Sequence, residues 1–238
     1  MRIAMWSGPR NLSTAMMYAF AQRPDCVVWD EPFYAAYLAA TGLDHPMREQ
    51  VIAAGDVSPE AVITRCIGAA PGGKRVFYQK HMAQHMRAPI RRDWLGEVTS
   101  VFLIRHPARV IASYAAKREN PSFDDLGFGQ QAELVRQVRA MGRTPIVIDS
   151  ADIRSDPRDA LQRLCFALNL EFHSVMLGWP MGPKPYDGVW ATHWYGAVHR
   201  STGFAEAEGA LPAVDSAFSA LYSRAMEVYE ALWPLRLT

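Results

Sequence analysis

The 238-residue sequence has few cysteines and almost no excess charge, and both absences restrict what the protein can be. Its three cysteines, Cys26, Cys66 and Cys165, are scattered and show no zinc-ligand spacing, which argues against a disulfide framework and favours a reducing compartment. The formal net charge is +1, so no whole-chain charge argument favours nucleic acid or a membrane surface as a partner. Any anion site must therefore come from a local arrangement of residues.

Long hydrophobic runs, repeats and low-complexity tracts are also missing. No apolar run is long enough to cross a bilayer, and the first residues lack the pattern of a signal peptide. We therefore expect a cytoplasmic protein with no membrane partner. Half of the residues are hydrophobic, which is enough for a sizeable core, and the absence of a convincing linker predicts one domain over residues 1–238.

Short segments rich in Val, Ile, Phe and Met alternate with amphipathic stretches. The short segments lack clean alternation and predict strands covered on both faces, at residues 2–7, 26–30, 75–79, 99–104 and 144–149. The amphipathic stretches predict helices at 13–22, 59–69, 108–117, 126–141, 158–168 and 213–232. This alternation predicts an α/β fold with a three-layer parallel sheet flanked by helices. Residues 179–204 are irregular and aromatic-rich, which is typical of a lid or binding loop.

The N-terminal turn carries the strongest chemical signal. Residues 3–20 predict a buried strand, a tight turn with glycine and proline, and a helix, so free backbone N–H groups and the positive helix end meet at one point. Such a point binds phosphate or sulfate, and Arg10, Ser13 and Thr14 can each donate a hydrogen bond to an anion. Thr14 stands where a nucleotide-triphosphate loop has its lysine, which disfavours ATP or GTP hydrolysis. The alternative is a plain strand–turn–helix without a ligand.

A second candidate anion site follows the fourth predicted strand. Arg105 ends that strand, at the edge where parallel α/β sheets bind ligands, and Ser113 lies about two turns into the next helix. The two side chains can converge on one phosphate, and the alternative is a structural ion pair beside a buried hydroxyl. Two anion sites on one sheet edge indicate a ligand with two separate anionic groups.

The first site resembles the phosphosulfate loop of the sulfotransferases that use 3′-phosphoadenosine 5′-phosphosulfate (PAPS), a family whose fold is similar to that of P-loop kinases. Bacterial members carry G-x-P-R-S-G-[ST]-[ST] after the first strand, and the sequence GPRNLST matches this pattern at Arg10, Ser13 and Thr14. The resemblance implies that these side chains, with Asn11 beside them, hold the 5′-phosphosulfate. Leu12 departs from the pattern, since glycine is usual there, and its side chain can narrow the approach or force another backbone angle.

The second site resembles the same family, because Arg105 and Ser113 have the spacing of the arginine and serine that bind the 3′-phosphate. The resemblance covers about residues 1–150 and implies sulfuryl transfer from PAPS, as co-substrate, to a hydroxyl or amine of a small-molecule acceptor. No metal is expected, since arginine and lysine can supply the positive field. The alternatives are a P-loop kinase-like phosphotransferase or hydrolase that uses ATP, and a non-catalytic nucleotide-binding protein of the same fold.

Such a reaction needs a base to take the proton of the acceptor. Glu31 follows the second predicted strand, where some branches of the family use a carboxylate; the alternative is that Asp30 caps a helix and Glu31 is solvated. Lys80 and His81 follow the third predicted strand, where Lys80 can neutralise the bridging oxygen or the sulfate and His81 can act as the base near neutral pH. His81 and His85 are four residues apart, a spacing that can bind a metal ion, but no third ligand is evident in the sequence.

The late irregular segment offers cations and stacking rings, as does the late loop that closes over the nucleotide in many sulfotransferases. Lys184, Trp190 and Arg200 are candidates for this role, and an aromatic loop packed on the sheet is the alternative. Aromatic residues near the sheet edge can line an apolar or sugar-stacking acceptor pocket: Trp6, Phe33, Tyr34 and Tyr37. The sequence identifies neither the acceptor nor the oligomeric state.

Overall fold

Five parallel strands form one sheet in a computed structural model that describes residues 1–116 and 121–238. The strands are β1 (Arg2–Ser7), β2 (Cys26–Asp30), β3 (Val76–Met82), β4 (Thr99–Ile104) and β5 (Ile146–Asp149), in the order β2-β3-β1-β4-β5. The predicted bounds are confirmed for β1, β2 and β4. Strand β3 ends at Met82 rather than at residue 79, and β5 begins at Ile146 rather than at 144.

Helices cover the sheet and connect its strands. In the described chain they are α1 (Ser13–Ala21), α2 (Tyr34–Thr41), α3 (Arg48–Ala54), α4 (Pro59–Ile67), α5 (Pro107–Ala115), α6 (Phe123–Leu126), α7 (Phe128–Ala140), α8 (Ser150–Ser155), α9 (Pro157–Ala167), α10 (Ala191–Trp194), α11 (Gly196–His199) and α12 (Ser219–Leu232). None of the described helices combines the length and apolarity that a bilayer crossing requires.

The predicted helices all differ from the observed ones at one end or both, most strongly at the start of the last helix. The predicted helix over 126–141 is wrong at its start, because Gly127 has a φ of 70° and separates α6 from α7. The last helix begins at Ser219, since the Asp215 carboxylate accepts a hydrogen bond from the Ala217 N–H and starts a short 3₁₀ turn first. The predicted helix over 108–117 is observed as α5, and Lys117 lies outside the described residues.

Alternate strand residues enter two hydrophobic cores, one on each face of the sheet. Ile3 and Met5 of β1 pack with residues of α1 and α9, whereas Ala4 and Trp6 pack with residues of α4 and α7. Burial on both faces explains why the strands show no polar alternation. The three-layer arrangement of a parallel sheet between helices is therefore confirmed.

The strand order positions the functional cleft. Strand β1 lies in the middle of the sheet, with β3 and β2 on one side and β4 and β5 on the other. The chain continues from β1 to β2 and β3 on one side and then crosses to β4 and β5 on the other side. The loops after β1 therefore diverge from those on the other side, and a crevice opens at the carboxyl ends of these strands. The loops that follow β1, β2 and β4 meet at this edge.

Candidate active site

A cleft of about 410 Å³ opens at the carboxyl ends of β1, β3 and β4. Eight of the predicted site residues line it together: Arg10, Asn11, Ser13, Thr14, Glu31, Lys80, Arg105 and Ser113. The structure does not bring His81 into this lining. Residues far apart in the chain thus form one continuous surface with an arginine-rich end and a carboxylate at the other end.

The loop between β1 and α1 presents hydrogen-bond donors to the cleft. A Cβ atom on Gly8 would lie 2.4 Å from the Leu126 carbonyl oxygen, so this tight approach requires glycine. Helix α1 begins without a side-chain cap, which leaves its first N–H groups for a ligand. Among the described residues, the hydroxyls of Ser13 and Thr14 have no hydrogen-bond partner. The uncapped helix start and the two hydroxyls suit an anionic oxygen.

Leu12 adopts the backbone conformation that normally favours glycine. Its φ of 70° and ψ of 6° are left-handed, and its side chain packs partly against the core beneath α1. Leu12 therefore adopts a left-handed backbone angle that a glycine would adopt without strain. A left-handed angle costs a non-glycine residue about 1–2 kcal/mol.

Arg105 and Ser113 both contact Arg10. Arg105 Nη1 donates a hydrogen bond to the Arg10 carbonyl oxygen, and Arg10 Nε donates one to Ser113 Oγ at 2.9 Å. Burial, and then the charge of Arg105, lower the pKa of Arg10. Two guanidinium groups thus lie side by side at one end of the cleft, an arrangement that favours an anion there.

Glu208 supplies a negative charge to Arg105 and to two further arginines. Its carboxylate pairs with Arg105, with Arg109 Nε at 2.8 Å and with Arg154 Nη1 at 2.8 Å, and its side chain is only 4% exposed. No pattern in the sequence had indicated Arg109, Arg154 or Glu208 as site residues. The last of these lies 103 residues after Arg105 in an irregular segment, where no local pattern indicates the contact.

Lys80 is the centre of a buried charge cluster beside the loop between β1 and α1. Its Nζ donates to Asp30 Oδ1 at 2.9 Å, Glu31 Oε1 at 2.6 Å and Tyr195 Oη at 2.6 Å. Burial lowers the pKa of Lys80, but the Asp30 and Glu31 carboxylates outweigh it and raise that pKa above its ordinary value. The alternative of Asp30 as a helix cap and Glu31 as a solvated side chain is wrong, because both carboxylates hold Lys80.

Glu31 has one oxygen held and the other open to the cleft. Lys80 binds Oε1, no hydrogen bond from a described residue reaches Oε2, and His85 Nε2 lies 4.0 Å from it. The residue has a strained φ of 39°. Burial raises the pKa of Glu31 more than the Lys80 charge lowers it. A carboxyl group with a raised pKa and a free oxygen is suited to accepting a proton.

Tyr195, which sequence analysis missed, connects the late segment to this cluster. Its hydroxyl accepts from Lys80 and from Trp190 Nε1 at 3.0 Å, and it lies 2.8 Å from each Asp30 carboxylate oxygen. Burial, and then the Asp30 and Glu31 charges, raise the pKa of Tyr195 well above its usual range. The aromatic content of residues 179–204 was the only signal in the sequence, and it does not single out this tyrosine.

His81 is in the core rather than in the cleft. Because β3 continues to Met82, successive side chains alternate, so Lys80 and Met82 line the cleft while His81 points to the opposite face. The His81 ring stacks on Trp6 with centroids 4.4 Å apart, and burial lowers its pKa to about 3. The geometry therefore does not support His81 as the general base.

His85 lines the cleft instead and is stacked between two tyrosines. Its ring centroid lies 4.7 Å from that of Tyr34 and 4.7 Å from that of Tyr37. Of the aromatic residues predicted for the acceptor pocket, Tyr34 lines the cleft, whereas Trp6 and Phe33 pack in the core. The late segment contributes Trp194, Tyr195, Val198 and Ser201 to the lining rather than Lys184, Trp190 or Arg200.

Comparison with known proteins identifies the family of this chain. The family model described as "Sulfotransferase domain" matches residues 1–234. The chain belongs to the sulfotransferase-domain family. Membership in this family supports sulfuryl transfer as the general activity of the domain.

Solved sulfotransferases share the P-loop-like fold of this domain. The sulfotransferase from Alicyclobacillus acidocaldarius superposes with a TM-score of 0.55 at 14% identity, covering 97% of this chain and 94% of its own. The sulfotransferase domain of the Synechococcus PCC 7002 olefin synthase has a TM-score of 0.50 at 17% identity, covering 98% and 94%. At such identities the likeness concerns the fold, and it confirms the predicted fold class.

Two curated plant proteins are more similar in sequence. The branched-chain-amino-acid aminotransferase-like proteins 1 and 2 of Arabidopsis thaliana are 40% and 38% identical over 202 residues, which is 85% of this chain. The sulfotransferase domain spans only about a third of their length, 36% of each protein. Their names describe those longer proteins.

No cluster of metal ligands is found in the part of the domain that the structure describes. Within residues 1–116 and 121–238, no three His, Cys, Asp or Glu side chains group as a metal site would require. A reaction without a metal stays a prediction.

Proposed function

We propose that this sulfotransferase domain uses PAPS and transfers its sulfuryl group to a hydroxyl or amine of a small molecule. One observation carries the proposal: the loop after β1, the Arg105 guanidinium and the Lys80–Glu31 pair share a single cleft. Family membership supports sulfuryl transfer in general. Beyond this general activity, we propose PAPS as the donor and a hydroxyl or amine as the acceptor.

The residues at the arginine-rich end suit a donor with two anionic groups. The uncapped start of α1 and the unpartnered hydroxyls of Ser13 and Thr14 supply donors for a phosphosulfate. Arg105 and Ser113, both in contact with Arg10, would hold the 3′-phosphate. When bound, the donor supplies the sulfuryl group and an adenosine bisphosphate leaving group.

The other end of the cleft suits an acceptor that must lose a proton. Glu31 Oε2 accepts that proton, while Oε1 stays bound to Lys80. The Lys80 ammonium, held in place by Asp30, keeps a fixed positive charge beside the reacting groups. After the transfer, the proton on Glu31 passes to the solvent through the open cleft.

Calorimetric titration tests the donor. We expect adenosine 3′,5′-bisphosphate to bind more tightly than AMP, and Arg105→Ala to abolish this preference. Loss of a hydrogen bond to a charged group costs about 1.5–3 kcal/mol, so affinity for the bisphosphate should fall about 10- to 150-fold. Arg91→Ala is the matched control, since Arg91 is an exposed arginine paired with Glu60 and Asp93. Equal affinities of the wild type for both nucleotides would refute the proposed donor.

Turnover tests the reaction itself. Labelled PAPS and a panel of phenols, alcohols and amines should give sulfated products with the wild type and none with Glu31→Gln. Magnesium-dependent turnover of ATP would instead favour a kinase-like phosphotransferase or hydrolase. Tight nucleotide binding without transfer to any acceptor would favour a non-catalytic nucleotide-binding protein.

A further inference from the structure

Residues 204–212, which we name the strap, cross the arginine-rich end of the cleft without forming a helix or strand. The residues on either side of Glu208 are exposed, whereas the Glu208 side chain is almost completely buried. Ala205, at the start of the strap, lines the same cleft as the phosphate loop. The strap therefore directs one carboxylate inward, toward the cations of the cleft.

Glu208 occupies a site formed by three arginines from three elements. Arg105 directly follows β4, Arg109 lies in α5 and Arg154 lies in α8, and all three pair with this one carboxylate. Only Arg105 was expected at an anion site from the sequence. Arg105 Nε is nevertheless a buried donor without a hydrogen-bond partner among the described residues, so the carboxylate leaves the site incompletely satisfied.

The strap is attached to the domain through these same arginines. Besides the contacts of Glu208, Arg154 Nε donates to the Glu206 carbonyl oxygen at 2.7 Å and Arg109 Nη2 donates to the Gly209 carbonyl oxygen. No other hydrogen bond links residues 205–212 to the described chain. Removing the Glu208 carboxylate from the arginines would therefore release the ion pairs that hold the middle of the strap, while Phe204 at its start stays packed against Trp179.

We infer that Glu208 is an internal competitor for the donor, occupying an anion site that a phosphate monoester takes by displacing it. This inference rests on the proposed function, because Arg105 is the residue proposed to hold the 3′-phosphate. A phosphate monoester carries about −1.5 to −2 charges at neutral pH and three acceptor oxygens, whereas a carboxylate carries one charge and two oxygens. Three guanidinium groups match the charge and oxygens of the phosphate better than those of the carboxylate. Binding of the phosphate therefore displaces Glu208 and releases the strap.

Titration of Glu208→Gln with two nucleotides tests the competition. Without the carboxylate charge, adenosine 3′,5′-bisphosphate should bind at least about fivefold more tightly than to the wild type. AMP lacks the 3′-phosphate, and its affinity should change less than twofold. Glu206→Gln is the matched control, because it removes the same charge from the strap and its side chain forms no ion pair with a described residue. Its affinity for both nucleotides should stay at the wild-type value.

The outcomes separate this inference from the proposed function. If the wild type prefers the bisphosphate but Glu208→Gln binds it no more tightly, Glu208 does not compete and the inference is wrong. Equal tightening by Glu206→Gln would also overturn it, since general electrostatics would then explain the effect. If neither the wild type nor Glu208→Gln distinguishes the bisphosphate from AMP, the proposed donor fails together with the inference.

A spin label on the strap gives a second measurement that does not depend on Glu208 variants. Ala207 is exposed, and the three native cysteines are buried, so Ala207→Cys can be labelled selectively. Adenosine 3′,5′-bisphosphate should make the spectrum of the label markedly more mobile, and AMP should leave it unchanged. An unchanged spectrum at saturating bisphosphate would show that the strap stays in place and would overturn the inference.

Discussion

Removal of the Lys80 charge should destabilise the fold as well as abolish activity. In Lys80→Met, the carboxylates of Asp30 and Glu31 would face each other without a counter-charge, with side-chain exposures of only 2% and 10%. Breaking a buried ion pair in this way costs about 3–5 kcal/mol, because an uncompensated charge stays buried. In a domain of this size, about 1 kcal/mol shifts Tm by about 2–4 °C, so Tm should fall by about 6–20 °C.

Restoring the charge balance should recover part of this loss. Asp30→Asn in the Lys80→Met background removes one of the two carboxylate charges, so the double variant should be more stable than the sum of the single effects by about 1–3 kcal/mol. The assay is urea unfolding at neutral pH. Lys74→Met is the control, since Lys74 is exposed and its side chain donates only to the Pro24 carbonyl oxygen. Its free energy of unfolding should change by less than about 1 kcal/mol.

The same variant has a predictable pH dependence. Burial already raises the pKa of Glu31, and loss of the Lys80 charge raises it further. The folded state of Lys80→Met then binds more protons than the unfolded state, so its stability rises as the pH falls toward 4.5, the ordinary pKa of the side chain. A Lys80→Met variant within about 1 kcal/mol of the wild type, or additive effects in the double variant, would refute the account of the charge cluster.

Three further predictions concern the loop, the base and the late segment. Leu12→Gly should be more stable than Leu12→Ala by about 1 kcal/mol in urea unfolding, because the φ of 70° suits only glycine. Activity should rise with pH through a pKa above 4.5, since a base acts when deprotonated and burial raises the pKa of Glu31; a pH profile of kcat/KM measures this. Tyr195→Phe should lose about 1.5–3 kcal/mol of stability by thermal unfolding, because its hydroxyl contacts Lys80 and Asp30. It should also lower kcat more than it raises KM for the donor.

Each of these predictions has a clear contrary result. If Leu12→Ala is the more stable variant, as is usual for alanine against glycine, the left-handed angle is not the controlling feature. Residual activity in Glu31→Gln with an unchanged pH profile would remove Glu31 from the role of base. A Tyr195→Phe variant with wild-type stability and kcat would show that its hydroxyl does not position Lys80.

Local patterns were enough to predict the fold and the meeting of two candidate anion-binding elements at one edge of the sheet. The turn after β1 follows from glycine, proline and hydroxyl residues within a few positions, and Arg105 and Ser113 lie on one strand end and the adjoining helix. Because parallel strands end at one edge, their loops had to meet. The tertiary contacts of Tyr195 and Glu208 could not be predicted from local patterns, since each joins residues more than 100 positions apart.

The polar residues at the end of β3 made its last positions difficult to predict as a strand. Lys80 and His81 have low strand propensity on their own, which favoured a loop after residue 79. Burial changes this, because Lys80 is neutralised by two carboxylates and His81 stacks on an aromatic ring. Extension of the strand to Met82 then separated the two residues onto opposite faces. One misplaced strand end was therefore sufficient to assign His81 to the wrong side of the sheet.

Backbone strain connects the parts of the site. Among the described non-glycine residues with positive φ are Arg10, Leu12 and Glu31, and all three line the cleft. Such angles persist only where surrounding contacts hold them: Arg105 and Ser113 bind Arg10, and Lys80 binds Glu31. The loop after β1 and Glu31 are therefore held in position by contacts that need no ligand. If the strap covers the donor site as we propose, it is the element that must move, and donor affinity should depend on how firmly the arginines hold it.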